Sequence, residues 1–399
     1  MTFAAMAALI LAAGCAKIEN KSTTNDVQHA IGFSNYAPRN LTKADGTYAS
    51  STTLANGKVY DVYAYATGNG IAFTTTAIGT QFMNGVHVTY TTGGDSDPTK
   101  NAYSPTRYWP SGDAPQWLTF WAYYPVQSGN GITYTAPDGG NGLGSYAFTA
   151  AASAASMVDF MVSDVVNDKI YGTAEGEHIA VNGIVPLKFH HQLTKIIVKI
   201  VTDKNDDCTN VVLTDAKLYN IKTTGTLSAT AFNSSTGAIT TSWGSLGTPA
   251  SYDITDNGND FNNTLLVYNT PVGGQANDVF LMVPQETIEP AFSTTPHIVA
   301  NLSNTPQYIL ITWDVKTYDN STNAATNGAE GLLSTTSNSQ AIYLDNVVVK
   351  DGSGDPVSNN DWAINQQTTY TITIGPKPIK FTASVQGWAD ETFGNITVM

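Results

Sequence analysis

An all-β fold of two tandem β-sandwiches, after an export signal, is what this sequence predicts. Three observations carry that expectation. Short runs of β-branched and aromatic residues recur along the chain, separated by Gly, Asn, Asp and Pro. No segment reads as a long amphipathic helix, and only Asp361–Gln366 suggests a single short turn. Charged residues make up 13% of the chain, with abundant Thr, Asn, Ser and Gly and 20 Tyr. That charged share is about half the usual one for soluble domains, and the profile is that of an extracellular β protein.

The chain opens on an uncharged, mostly apolar run, Phe3 to Ala13. Its length suits the h-region of a secretory signal and is too short to span a bilayer. Ala12, Ala13 and Gly14 then lead into Cys15 as in a bacterial lipobox, LAAGC. Small side chains there fit the cleft of a signal peptidase, and the cysteine sulfur then carries the lipid. Residues 1–14 are expected to be a lipoprotein signal peptide and Cys15 the lipid attachment site. The usual large aliphatic position, three before the cysteine, is Ala12, and a basic n-region is expected upstream, since no Lys or Arg lies between Met1 and Cys15. A buried N-terminal helix with an incidental cysteine is the competing reading. Residues 15–26 are polar and read as a tether that lifts the domain off a membrane.

The segment Val27–Tyr36 alternates, with Val27, His29, Ile31 and Phe33 on one side. It reads as an edge or inserted strand of the first sandwich. Further strands are expected at Val59–Ala66, Leu118–Tyr124, Phe160–Ser163, Leu187–Val201, Val211–Ile221, Thr264–Tyr268, Val279–Val283, Tyr308–Tyr318, Ile342–Val349, Thr369–Ile374, Phe381–Val385 and Ile396–Met399. Within Gln192–Val201, Ile196, Val198 and Ile200 share one parity and the lysines the other, so one face lies under an apolar row. Phe232–Thr248 and Asp319–Ser339, rich in Asn, Thr and Ser, read as surface loops or hairpins. So many strands without helices between them argue for antiparallel sandwiches. Two fit the length, divided in the polar stretch Gly172–Gly183: an N-terminal sandwich over residues 27–182 and a C-terminal one over 183–399.

A net charge of −14 argues against nucleic acid or an anionic membrane face as partner. If Cys15 is acylated, Cys208 has no partner, so the fold carries no internal disulfide. Asp206 and Asp207 before Cys208 disfavour a reactive thiolate there.

Chemistry-bearing motifs are scarce. The string GGNGLG at Gly139–Gly144 neither follows a strand nor opens a helix, and reads as a turn. His190 and His191 are neighbours on a strand, so they point to opposite faces and cannot jointly hold a metal; one is expected packed and one exposed. Asp256, Gly258 and Asp260 have the oxygen density of a calcium loop but lack the EF-hand pattern, and read as a solvated loop. Trp117, Phe120, Trp121, Tyr123 and Tyr124 could stack on sugars, but alternation places some of them inside a sandwich, where large rings supply apolar burial. No nucleophile is positioned with a base, so no enzyme, cofactor or metal is expected.

Several strings, in order, resemble the fimbrillins of Bacteroidales, the Mfa-like pilin family. They are AIGFSNYAPRN at Ala30–Asn40, YWP at Tyr108–Pro110, LTFWAYYP at Leu118–Pro125, MVDFMVSD at Met157–Asp164, LKFHHQLTKIIVKI at Leu187–Ile200, the Trp362, Asn365, Tyr370, Ile372 and Ile374 arrangement, and FTASVQGW at Phe381–Trp388. The resemblance implies two transthyretin-like, Greek-key β-sandwiches. It implies an outer-membrane lipoprotein, maturation by an arginine-specific protease, and strand exchange with other fimbrial subunits into an extracellular fimbrium. Arg39 matches the family's cleavage position, with Lys43 as the alternative. The strand holding Val27, His29, Ile31 and Phe33 becomes the removable segment, and the tail with Ile396 and Val398 a candidate donor strand or the completion of the second sandwich. A host or bacterial surface ligand would be the adhesion partner. The chain's only two arginines, Arg39 and Arg107, fit life beside such a protease, provided the fold protects Arg107. The alternative function is a lipid-anchored surface glycan-binding protein, which predicts exposed coplanar aromatics.

Overall fold

The computed structural model describes residues 28–36, 54, 56–91, 100–127, 129–140, 142–204, 206–247, 249–288, 306–345, 349–350, 361–375 and 380–387. Among these residues the strands form five sheets, and the fold is all-β, as the turn-punctuated runs predict. Among the described residues a single α-helix, α1 (Ser321–Thr326), interrupts them. Among the described residues no helix is long and apolar enough to cross a membrane.

The first sheet runs in the order β1 (Gly32–Tyr36), β10 (Ile184–His191), β7 (Met161–Ser163), β4 (Trp117–Tyr124), β2 (Val59–Thr67), β3 (Thr80–Thr89). Strand β8 (Val166–Gly172) pairs with β4 and with β9 (Ile179–Val181). The second sheet is β14 (Ile239–Gly244), β13 (Thr224–Phe232), β6 (Ser145–Thr149), β5 (Ile132–Thr135). The third is β19 (Phe280–Met282), β11 (Thr194–Thr202), β23 (Gln366–Ile374), β24 (Lys380–Gly387), β22 (Val349–Lys350). The fourth is β15 (Pro249–Asp253), β12 (Thr209–Lys222), β20 (Tyr308–Tyr318), β21 (Leu332–Tyr343), with β18 (Thr264–Leu265) on β12. A small ribbon joins β16 (Thr255–Asp256) to β17 (Asn259–Asp260).

Alternation explains how the first sheet is buried on both faces. Tyr60, Val62, Ala64 and Ala66 of β2 and Leu118, Phe120 and Ala122 of β4 enter one apolar cluster with Ile31, Phe33, Leu187 and Phe189. Tyr63, Tyr65, Trp121 and Tyr123, of opposite parity, enter another with Tyr146, Phe148 and Leu227 of the second sheet. The same cluster continues to Ile196, Val198 and Ile200 of β11, Leu218 of β12 and Tyr370 and Ile372 of β23. Of the lysine parity of β11, Lys195, Lys199 and Val201 are half-buried and Ile197 is buried.

Three details differ from the sequence pattern. The run Leu187–Val201 is two strands in two sheets, broken at Gln192. There the N–H donates to the Phe160 carbonyl at 2.8 Å and the carbonyl accepts the Trp243 indole at 2.7 Å, so neither group is left for a ladder. Thr264–Tyr268 is strand only over Thr264–Leu265, with Val267 and Tyr268 exposed. Not every pair is antiparallel: β1–β10, β8–β9, β11–β23 and β22–β24 are parallel. The Asn- and Thr-rich stretch after Tyr318 is a hairpin, α1 and then β21 returning along β20. Pairing also runs across residues 182–183: β10 bonds β1 and β7, and β13 bonds β6.

Candidate functional site

The leading strand lies in a groove with partners on both flanks. On one flank β1 runs parallel to β10, from Gly32 opposite Ile184 to Tyr36 opposite Lys188. On the other, residues 29–31 run antiparallel to 107–109. The Ile31 N–H donates to the Arg107 carbonyl and the Trp109 N–H to the His29 carbonyl, both at 2.9 Å. Ala30 and Tyr108 form the bridge between them.

Side chains close the groove. The Tyr103 hydroxyl donates to the Ile31 carbonyl at 2.8 Å, and Asn101, itself buried, donates through Nδ2 to the Phe33 carbonyl at 2.5 Å. Ile31 is 1% exposed and Phe33 0%. The Phe33 ring meets Tyr103 and Phe120 edge-on, with centroids 5.5 and 6.1 Å apart. His29 stacks on Tyr171 at 3.6 Å. Burial pushes the Tyr103 hydroxyl above its ordinary pKa, so it stays a donor.

Gly183 is where the groove's two walls meet. Its carbonyl accepts the Gly32 N–H at 2.9 Å and the Trp109 indole N–H at 3.2 Å. Its φ is +76°, and a Cβ there would come within 2.9 Å of the Ala30 carbonyl oxygen and of Trp109 Nε1. Only glycine meets both demands without strain.

The other candidates resolve into structure. His190 Nε2 lies 3.0 Å from Asp164 Oδ1, off the line of a hydrogen bond, and His191 Nδ1 lies 2.7 Å from Asp159 Oδ2. The two rings point apart, but both are partly buried beside a carboxylate, which corrects the expectation of one packed and one exposed. The 255–260 turn is organised from inside by Asp278, which accepts the Thr255 hydroxyl and the N–H groups of Asn257, Gly258 and Gln275. Asp256 accepts the Gly273 N–H at 2.9 Å. These carboxylates are committed to backbone donors. Among the described residues no group of three or more His, Cys, Asp or Glu side chains could hold a metal ion.

An open cleft of about 720 Å³ lies beside β2, lined by Asp61, Tyr63, His87, Gln127 and Thr133 among others. Asp61 contacts His87 Nδ1 and accepts the Gln127 N–H at 3.3 Å. Sequence reasoning missed this pair, because Asp61 and His87 meet only through the register of two strands. The aromatics of β4 are core: Phe120, Trp121 and Tyr123 are fully buried, and Trp117 stacks on His178 at 4.2 Å.

A family model described as fimbrillin-like matches residues 42–388. The chain belongs to the fimbrillin-like family. A fimbrial protein from Bacteroides vulgatus is similar in structure, with 17% identity and a TM-score of 0.55, over 90% of this chain and 100% of that one. A candidate cell adhesion protein from Bacteroides uniformis gives 16% identity and 0.46, over 92% and 100%. The tip fimbrial protein Mfa3 of Porphyromonas gingivalis, C-terminally truncated, gives 10% identity and 0.36, over 84% and 95%. No functionally curated protein matches the chain. The likeness to the Bacteroides vulgatus protein shows a shared fold.

Of the residues expected to act in this fimbrillin-like chain, His29, Ile31 and Phe33 sit together in the groove. Cys15, Val27, Arg39, Lys43, Ile396 and Val398 lie outside the described residues. Arg107, expected to be shielded, has an exposed side chain. Its backbone is what the fold covers.

Proposed function

We propose that this chain is a fimbrial subunit or surface adhesin that assembles by strand replacement. In this reading Cys15 carries the acyl anchor to the outer membrane, and an arginine-specific protease cuts after Arg39, or after Lys43. The segment holding Val27, His29, Ile31 and Phe33 then leaves, and a strand of another subunit takes its place. The tail holding Ile396 and Val398 is the candidate donor. A host or bacterial surface molecule is the ligand for adhesion.

One observation carries the reading: the leading strand is bonded on both flanks and contributes two side chains to the core, Ile31 and Phe33. Main-chain bonds do not depend on side-chain identity, so another strand can reuse them. An emptied groove exposes unpaired backbone groups and apolar pockets, each large side chain worth about 1.5–3 kcal/mol of burial. Family membership supports the fimbrial role.

The test is to incubate the purified chain with an arginine-specific protease and follow it by N-terminal sequencing and electron microscopy. A product beginning at Asn40, loss of the leading strand and formation of ladders or filaments are expected. A cut product that keeps the strand and stays monomeric refutes strand replacement.

A further inference from the structure

Arg107 is one of two arginines in the chain. Its side chain is exposed, yet its main chain is fully engaged. Its N–H donates to the Tyr103 hydroxyl at 3.1 Å, and its carbonyl accepts the Ile31 N–H at 2.9 Å. Tyr108 bridges Ala30, and the Trp109 N–H donates to His29. A protease must draw the residues around a scissile bond into an extended strand and bond the same backbone groups itself. Here the leading strand already occupies them.

We propose that the Arg107–Tyr108 bond is a second, conditional processing site for an arginine-specific protease, closed while residues 28–36 fill the groove and opened when they leave. The proposal rests on the strand-replacement reading. Loss of the strand removes the partners of Asn101 Nδ2 and the Trp109 N–H, and takes Ile31 from the Tyr103 hydroxyl and the Arg107 carbonyl, which keep each other at 3.2 Å. What remains is the Ala102 carbonyl on Thr89 and the Trp109 indole on Gly183 at the ends of the loop, with the Tyr103 hydroxyl on the Arg107 main chain between them. Residues 103–108 between them keep no ladder partner. In the cut, water supplies a hydroxyl to the Arg107 carbonyl carbon and a proton to the departing Tyr108 nitrogen. A subunit whose groove stays empty is destroyed, and one whose groove is refilled is spared.

The test treats the full chain with an arginine-specific endoprotease and times the two possible cuts by mass spectrometry. In wild type with the strand bound, Arg107 stays intact. An Ile31→Asp, Phe33→Asp double variant is expected to be cut at Arg107 about a hundred-fold faster, because cleavage tracks the open population. A synthetic peptide of residues 28–36 should restore protection. Rescue separates an empty groove from a misfolded chain. Tyr103→Phe keeps the apolar anchors but removes the hydroxyl that bonds the Ile31 carbonyl and the Arg107 main chain; cutting at least about five-fold faster is expected, the share of one lost hydrogen bond. The proposal is overturned if wild type is cut at Arg107 with the strand in place. It is equally overturned if Tyr103→Phe is cut no faster than wild type and the double variant shows no peptide rescue. The two readings fail differently. If the strand stays after the cut at Arg39, replacement fails. If the strand departs and Arg107 survives, the conditional site fails.

Discussion

Tyr63 shows what burial does to a single residue here. Its hydroxyl is pushed up to about 12 from an ordinary 10.0, mainly by desolvation. Tyr252 is likewise raised to about 12 by burial. A phenol with a raised folded-state pKa holds its proton longer in the folded protein than in the unfolded one. Its stabilising contribution is complete below pH 10 and is lost as pH climbs toward 12. Thermal melts across that window should show a steep fall in Tm, in step with phenolate absorbance; a flat Tm contradicts the account. At this scale the sequence was legible where alternation decides burial, as for Ile196 and Phe120. It was silent where partners come from distant strands. Asp61 with His87, and Asp278 with the 255–258 backbone, follow from register and loop closure, which no local pattern encodes.

The element that matters most is β1. Phe33 fills a fully buried position against Tyr103 and Phe120. Phe33→Ala should cost about 3–5 kcal/mol, as other large-to-small core changes do, while Ser34→Ala, only half-buried, should change little. Chemical denaturation of both variants checks this; equal stabilities would mean that the strand contributes nothing to the fold. Alternation in Val27–Tyr36 revealed the strand, and its turn signals revealed most others. What stayed hidden was its neighbours. Nothing in AIGFSNY specifies a parallel partner 152 positions on, at Ile184 opposite Gly32. Nor does any local signal show that the SPTRYW stretch forms the opposite wall. The split at Gln192 was hidden for a related reason: hydrophobic periodicity continues through it, and only bonds to Phe160 and Trp243 end the strand.

Across the whole molecule, one apolar cluster runs from Tyr63 to Tyr370 and Ala383. Strand β6 bonds β13, so residues early in the chain share a sheet with residues from its middle. A continuous core and shared ladders couple the parts. Calorimetry should therefore show one unfolding transition, with calorimetric and van't Hoff enthalpies in agreement; two resolved transitions would show that the parts melt independently. The all-β class was readable from composition and turn spacing. The order of strands within sheets was not, because several pairs join residues more than a hundred positions apart.

The opposed directions of the groove's two walls carry one more consequence. The leading strand runs with β10 and against residues 107–109. Any substitute reusing the same donors and acceptors must point the same way. Under the proposed strand replacement, each added subunit would inherit the orientation of the last, and the filament would be polar, with chemically unlike tips.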